Sequence, residues 1–137
     1  RWFTPILPSA FCLAVRATGG LNADRTLIIS SHAQSITKEA VSAVKIPDDA
    51  HIAVSIHSYA PWDFCGTDDT RSDWGNDADK QELDTNFQYL EDTFISKGVP
   101  VLLDEFGAVN KNNTSIRTQY YAYYVKSAKA HGITLAY

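Results

Sequence analysis

The sequence predicts an α/β fold in which parallel strands are covered by helices. Three observations carry that expectation. Strand-like and helix-like segments alternate along the chain. The strand-like segments are near-continuous apolar runs, as in Arg25–Ser30 and His51–Ser58, which is the pattern of strands buried on both faces. Each strand also ends in side chains that donate, accept or ionise, at the end where parallel α/β folds place their ligands.

The elements follow in order. Residues 1–10 hold Pro5 and Pro8 and no clear period, so they read as an irregular lead-in. Phe11–Ala17 is a short helical run stopped by Gly19 and Gly20. Arg25–Ser30 is the first strand. Thr37–Val44 is a short helix with Ser35 or Thr37 as its cap and Glu39 in the first turn. Pro47 breaks the chain before the second strand, His51–Ser58. A long loop runs from Tyr59 to about Asn76, and loops of that length in compact domains are often functional. Asp77–Lys97 is the longest helical pattern, with Leu83, Phe87, Leu90 and Phe94 on one face. Val99–Phe106 is the third strand, Asn113 or Thr114 caps a helix running to His131, and Ile133–Tyr137 begins a fourth strand.

Composition narrows the function. Hydrophobic residues at 45% and charged residues at 20% are a globular balance. A net charge of −4 disfavours nucleic acid and anionic membranes, which attract basic patches. No apolar run approaches the roughly 20 residues that span a bilayer. The chain opens Arg1-Trp2-Phe3 with no Met and no signal peptide, as a processed or truncated product would. Cys12 and Cys65 have no metal-ligand spacing and read as two free thiols or one disulfide. Asn112-Asn113-Thr114-Ser115 holds two overlapping glycosylation sequons, relevant only on secretion by a eukaryote.

The carboxyl ends of the strands carry Ser30, Ser31 and His32, then His57, Ser58 and Tyr59, then Asp104 and Glu105. A carboxylate at 105 can attack an anomeric carbon or act as a general base; it can equally pair with an arginine or cap a helix. The strand period of two places Asp104 and Glu105 on opposite faces, so they are not expected to act as a pair on one bond. His57 and Tyr59 share a side, as rim ligands or as core packing. Trp62 and Trp74 in the long loop are stacking platforms for a sugar ring or pins for the loop. The Asp-rich stretch around Asp68, Asp69 and Asp73 lacks calcium-loop spacing and reads as a solvated loop. The histidines are scattered, and phosphate, dinucleotide and nucleophile-elbow motifs are absent, so neither metal nor cofactor is expected.

Several segments resemble one family, in order and in register. They are Val15–Gly20 with Asn22–Arg25, His57-Ser58-Tyr59-Ala60-Pro61-Trp62, Gly98–Ala108, and Lys111–Asn113 with Arg117. Together they look like glycoside hydrolase family 5, in particular the endo-β-1,4-glucanases of rumen fungi and gut bacteria. The resemblance runs from about residue 11 to the end.

It implies the C-terminal half, strands five to eight, of a (β/α)8 TIM barrel that cleaves β-1,4-glucan with retention. Residues 11–137 would form this half-barrel, and 1–10 fit poorly enough to be foreign sequence. The family nucleophile lands on Glu105, and the sixth-strand His and Tyr land on His57 and Tyr59, where the Tyr hydrogen-bonds the nucleophile. Trp62, Trp74 and His32 would meet the substrate, a β-glucan such as cellulose, and the location would be extracellular. Three departures stand out. No Asn-Glu acid/base motif occurs in the chain; it ends before the eighth-strand Trp; and Asp104 stands where the family has Gly.

A full barrel of this type needs about 250 residues. A four-strand half would leave open edges and an apolar face, so a homo-dimer or higher oligomer is expected. Three functions remain: a glycosidase with weak or absent activity alone, a non-catalytic carbohydrate-binding half-barrel, or an inactive fragment. Binding without turnover selects the second, and loss of both in a folded sample selects the third.

Overall fold

A computed structural model describes residues 7–67 and 71–136. The elements are α1 (Leu7–Ala17), β1 (Leu27–Ser35), α2 (Lys38–Ser42), β2 (Ile52–Ser58), α3 (Trp62–Cys65), α4 (Asp77–Thr93), β3 (Val101–Phe106), α5 (Thr114–Ala130) and β4 (Thr134–Leu135). The strands form one sheet in the order β1-β2-β3-β4, and each neighbouring pair is parallel. This is the expected run of strand–helix units, as in half of a (β/α)8 barrel.

The helices begin and end where their termini find partners. Helix α1 starts at Leu7, so residues 7–10 are its first turn rather than an irregular lead-in, and Pro8 is tolerated there because first-turn N–H groups have no intrahelical acceptor. Residues 1–6 lie outside the described ones. Thr37 caps α2, its hydroxyl accepting from the Ala40 N–H at 3.4 Å. Asn76 and Asp79 form a capping box at the start of α4. The buried Asp79 carboxylate also accepts from the Gly75 N–H at 2.8 Å and from Arg71 at 2.6 Å. The long predicted helix stops as α-helix at Thr93 and continues as a 3₁₀ turn, Ile95–Lys97, which Gly98 ends at φ 79°. A positive φ there suits glycine, which has no Cβ to clash.

One sheet face packs on the helices. Leu27, Ile29, Val54, Ile56, Val101 and Leu103 are buried there against Leu83, Phe87 and Leu90 of α4 and Tyr120, Tyr124 and Ala128 of α5. Phe106 stacks on Tyr124 with ring centroids 4.6 Å apart, and Phe87 meets Tyr124 edge-on at 5.0 Å. The phenols of Tyr120 and Tyr124 donate to the carbonyls of Ala60 at 3.3 Å and Ser58 at 3.4 Å. Helix α5 thereby pins the end of β2, from which the rim residues emerge. Burial raises both phenols well above the ordinary tyrosine range.

The opposite face is less apolar than expected. It carries Ile28, half-exposed, and Leu102, but Ser30, Ser55, Asp104 and Thr134 lie between them. Cys12 and Cys65 are both buried and free, which resolves the cysteine alternatives in favour of thiols. Burial pushes the Cys65 thiol up to about 11.

Candidate active site

The rim is built by two breaks in the sheet register. Between β2 and β3, Ile56 pairs with Leu103 but the next pair is His57 with Glu105, so Asp104 is the extra residue of a bulge. Between β1 and β2, the register passes from Ser30–Ser55 to Ser35–His57, and the surplus residues of β1 include Ala33 and Gln34 at positive φ.

The first break brings three predicted residues together. The Tyr59 hydroxyl donates to Glu105 Oε2 at 3.1 Å, and His57 Nδ1 lies 3.1 Å from the same oxygen. The Glu105 side chain is 53% exposed, so it is open to a ligand while held from one side. Tyr59 and Glu105 border an open cleft of about 440 Å³, lined also by Asp104, Phe106, Ala108 and Tyr121. The Ala108 N–H donates to the Tyr121 hydroxyl at 3.2 Å and Arg117 Nε donates to the Ala108 carbonyl at 3.0 Å, which anchors the segment after the strand.

The expectation that Asp104 and Glu105 would point apart is corrected. His57 Nε2 lies 3.3 Å from Asp104 Oδ1, so both carboxylates close on one imidazole. Strand alternation holds only while the ladder is regular, and the bulge interrupts it at this position. Asp104 also accepts from the Ser55 hydroxyl at 2.8 and 3.0 Å, and Gln34 Nε2 donates to Ser55 Oγ at 3.4 Å. Ser55 and Gln34 were not singled out in the sequence. A buried serine in mid-strand two positions before His57 was the available signal for the first; nothing local marked Gln34.

The two tryptophans separate. Trp62 opens α3 and is 59% exposed. Its ring lies over Gly66, where an added Cβ would sit 2.7 Å from Trp62 Cε2, so only glycine leaves room for it. Trp74 is corrected: it is 8% exposed and packs on Tyr120 and Tyr123 with centroids 5.4 and 5.5 Å away. An indole in that cluster pins the loop and offers no face to a sugar. His32 sits exposed in the β1 bulge, outside the Glu105–Tyr59–His57 contacts.

The loop that carries Trp62 is tied down by charge. Lys111 Nζ donates to the carbonyls of Asp63, Phe64 and Arg71 at 3.3, 3.0 and 3.0 Å. Arg71 pairs with Asp63 at 3.0 Å and with Asp79 at 2.6 Å, and the hydrogen bond to Asp79 raises the already high guanidinium value. Asp68 and Asp69 lie outside the described residues. Among the described residues no cluster of three His, Cys, Asp or Glu side chains could hold a metal ion.

A parallel half-barrel with a Glu–Tyr–His cluster at the carboxyl ends of its strands has the architecture of a (β/α)8-barrel glycoside hydrolase. The family model described as cellulase, glycosyl hydrolase family 5, matches residues 7–137, and the chain belongs to that family. Endoglucanase A of Clostridium longisporum is 39% identical over 122 residues, covering 88% of this chain and 24% of the relative. Endoglucanase B of Neocallimastix patriciarum is 38% identical, covering 90% and 26%. Among solved structures, a broad specificity endoglucanase from Clostridium longisporum superposes with a TM-score of 0.87 at 37% identity, covering 96% of this chain and 38% of the other. A xyloglucan-specific endo-β-1,4-glucanase from a metagenomic library, in complex with cellotriose, gives 0.88 at 33% identity, covering 98% and 42%. The chain thus spans about a quarter of these curated relatives and about two fifths of these solved chains.

Proposed function

We propose that this chain is the strand-five-to-eight portion of a retaining endo-β-1,4-glucanase, with Glu105 as nucleophile. The observation that carries the reading is the convergence of Tyr59 and His57 on one oxygen of Glu105. Their contacts fall on Oε2, and Oε1 is the oxygen assigned to the sugar. In the first step Oε1 bonds to the anomeric carbon as the glycosidic bond breaks, and its electron pair leaves with the glycosidic oxygen, which takes a proton from a second carboxyl group. In the second step that carboxylate takes a proton from water, whose oxygen displaces Glu105.

The second carboxyl must lie about 5 Å from the first in a retaining enzyme. The resemblance assigns it to an Asn-Glu on the fourth strand, and no Asn-Glu occurs in these 137 residues. Asp63 is engaged by Arg71, and Asp104 by Ser55 and His57. The chain by itself is therefore proposed to have weak or absent hydrolytic activity. Trp62 is proposed to stack on a β-glucan ring, and His32 to flank the same rim.

A second reading is favoured by the exposure of Trp62 at 59% beside Tyr59 at 39%: carbohydrate binding without hydrolysis. Action outside the cell is proposed because a polymeric substrate is too large to cross a membrane. Residues 11–137 are proposed as the half-barrel unit. Its open face, with Ile28 and Leu102, is proposed to be covered by self-association of the isolated chain.

The deciding experiment is hydrolysis of carboxymethyl-cellulose by the chain and by Glu105→Gln, with mass from light scattering and cellooligosaccharide binding from titration calorimetry. Turnover abolished by the substitution supports a competent site assembled between copies. Binding without turnover selects the carbohydrate-binding reading. Turnover that survives the substitution removes Glu105 from the nucleophile role.

A further inference from the structure

We propose that Asp104 is a positioning residue: it holds the His57 ring so that one imidazole bridges two carboxylates, and through that ring it orients Glu105. Its functional meaning rests on the reading of Glu105 as nucleophile; its test does not.

The direction of each hydrogen bond follows from which atoms can donate. Gln34 Nε2 is only a donor, so its 3.4 Å contact sets a hydrogen against Ser55 Oγ. The Ser55 hydroxyl hydrogen is then directed at Asp104, whose oxygens lie 2.8 and 3.0 Å away. The Tyr59 hydroxyl donates to Glu105 Oε2 at 3.1 Å. Both carboxylates are acceptors in this chain of contacts. His57 Nε2 stands 3.3 Å from Asp104 Oδ1 and Nδ1 stands 3.1 Å from Glu105 Oε2, so the ring lies between the two carboxylates at ion-pair distance, and a ring nitrogen can donate only when it carries a hydrogen. Among the described residues, the carboxylates within ion-pair distance of the ring nitrogens are Asp104 and Glu105 of β3.

The arrangement is anchored at its buried end. Ser55 is 4% exposed, Asp104 is the carboxylate that its hydroxyl meets, and Glu105 at the other end is 53% exposed. A half-exposed carboxylate is free to change rotamer unless donors hold it. Oε2 meets the Tyr59 hydroxyl and the His57 ring, and Asp104 on the far side is what stops that ring from turning away.

The test is the exchange of the His57 ring hydrogens, measured by proton–nitrogen NMR on the labelled chain at a pH about one unit below the ordinary imidazole value of about 6.5. Of the four histidines, His57 is assigned by its loss in His57→Gln. The expected result is a slowly exchanging hydrogen on both ring nitrogens. In Asp104→Gly the Nε2 hydrogen should exchange at least about tenfold faster, the fold-change of a lost charge-assisted contact, and the Nδ1 hydrogen should lose protection with it, because a ring released by Asp104 also turns away from Glu105. Asp104→Ala should do the same, and its better strand backbone guards against a folding defect in the glycine variant. Unchanged Nε2 exchange in a folded variant, Nδ1 protection that survives the loss of Asp104, or fast exchange at Nε2 in the parent overturns the proposal. Failure of Glu105→Gln to alter hydrolysis would leave this measurement untouched.

Discussion

The hydroxyl of Tyr59 donates to Glu105 Oε2 at 3.1 Å, joining the residue after β2 to the end of β3 across the rim of the sheet. The contact exists because Tyr124 of α5 pins the Ser58 carbonyl and so fixes the chain direction at Tyr59.

Tyr59→Phe keeps the ring and removes the donor. A hydrogen bond to a charged group contributes about 1.5–3 kcal/mol. In any preparation active on carboxymethyl-cellulose, kcat should fall by about tenfold to a hundredfold with little change in KM. An unchanged kcat would mean that the phenol has no part in holding Glu105.

Gly66→Ala forces the Trp62 indole and its turn to move, because the new Cβ would lie 2.7 Å from Cε2 and 2.9 Å from the Trp62 carbonyl oxygen. The expected outcome is a shift in the tryptophan fluorescence maximum and weaker cellooligosaccharide binding, approaching that of Trp62→Ala. Binding unaffected by either change would remove Trp62 from the proposed sugar-binding surface.

Lys111→Ala removes the ammonium that bridges three carbonyls of the β2–α4 loop. Each buried carbonyl left without a donor costs about 1–3 kcal/mol, reduced where water can enter. Amide exchange at Gly66 and Arg71 should accelerate while that of β2 stays slow. Unaltered exchange at the loop would show that Arg71 and Asp79 suffice to hold it.

Alkaline pH should destabilise the chain through Cys65. Its thiol moves from 9.0 to about 11 on burial, and a raised folded value favours the neutral form in the folded state. That stability is fully present below pH 9 and is lost as pH rises through about 11, with a ceiling of about 3 kcal/mol. Urea denaturation between pH 8 and pH 11 should show the decline, and Cys65→Ala should flatten part of it. Tyr120, Tyr123, Tyr124 and Cys12, raised in the same direction, add to the decline.

Much of this fold was legible in the residues. The apolar runs around Val54 and Leu103 announced buried parallel strands, and the spacing of Leu83, Phe87 and Leu90 announced α4. The rim residues His57, Tyr59 and Glu105 were legible because strand ends in parallel α/β folds are where ligands lie. Trp74 was not: a loop indole reads the same from sequence whether it faces solvent or, as here, meets Tyr120 and Tyr123 from a helix more than forty positions later. The start of α1 was also missed, since Pro8 reads as a breaker until it is seen in a first turn.

The amino-acid order by itself determined the alternation of strands and helices, the apolar face of each, and the placing of a carboxylate at the end of β3, because these depend on local periodicity and composition. Only the tertiary structure decided how that carboxylate is held. The register breaks that set Asp104 and Glu105 on the same His57 ring arise from pairing between strands some fifty positions apart, and no local pattern in either strand encodes an offset that exists only once the two are joined.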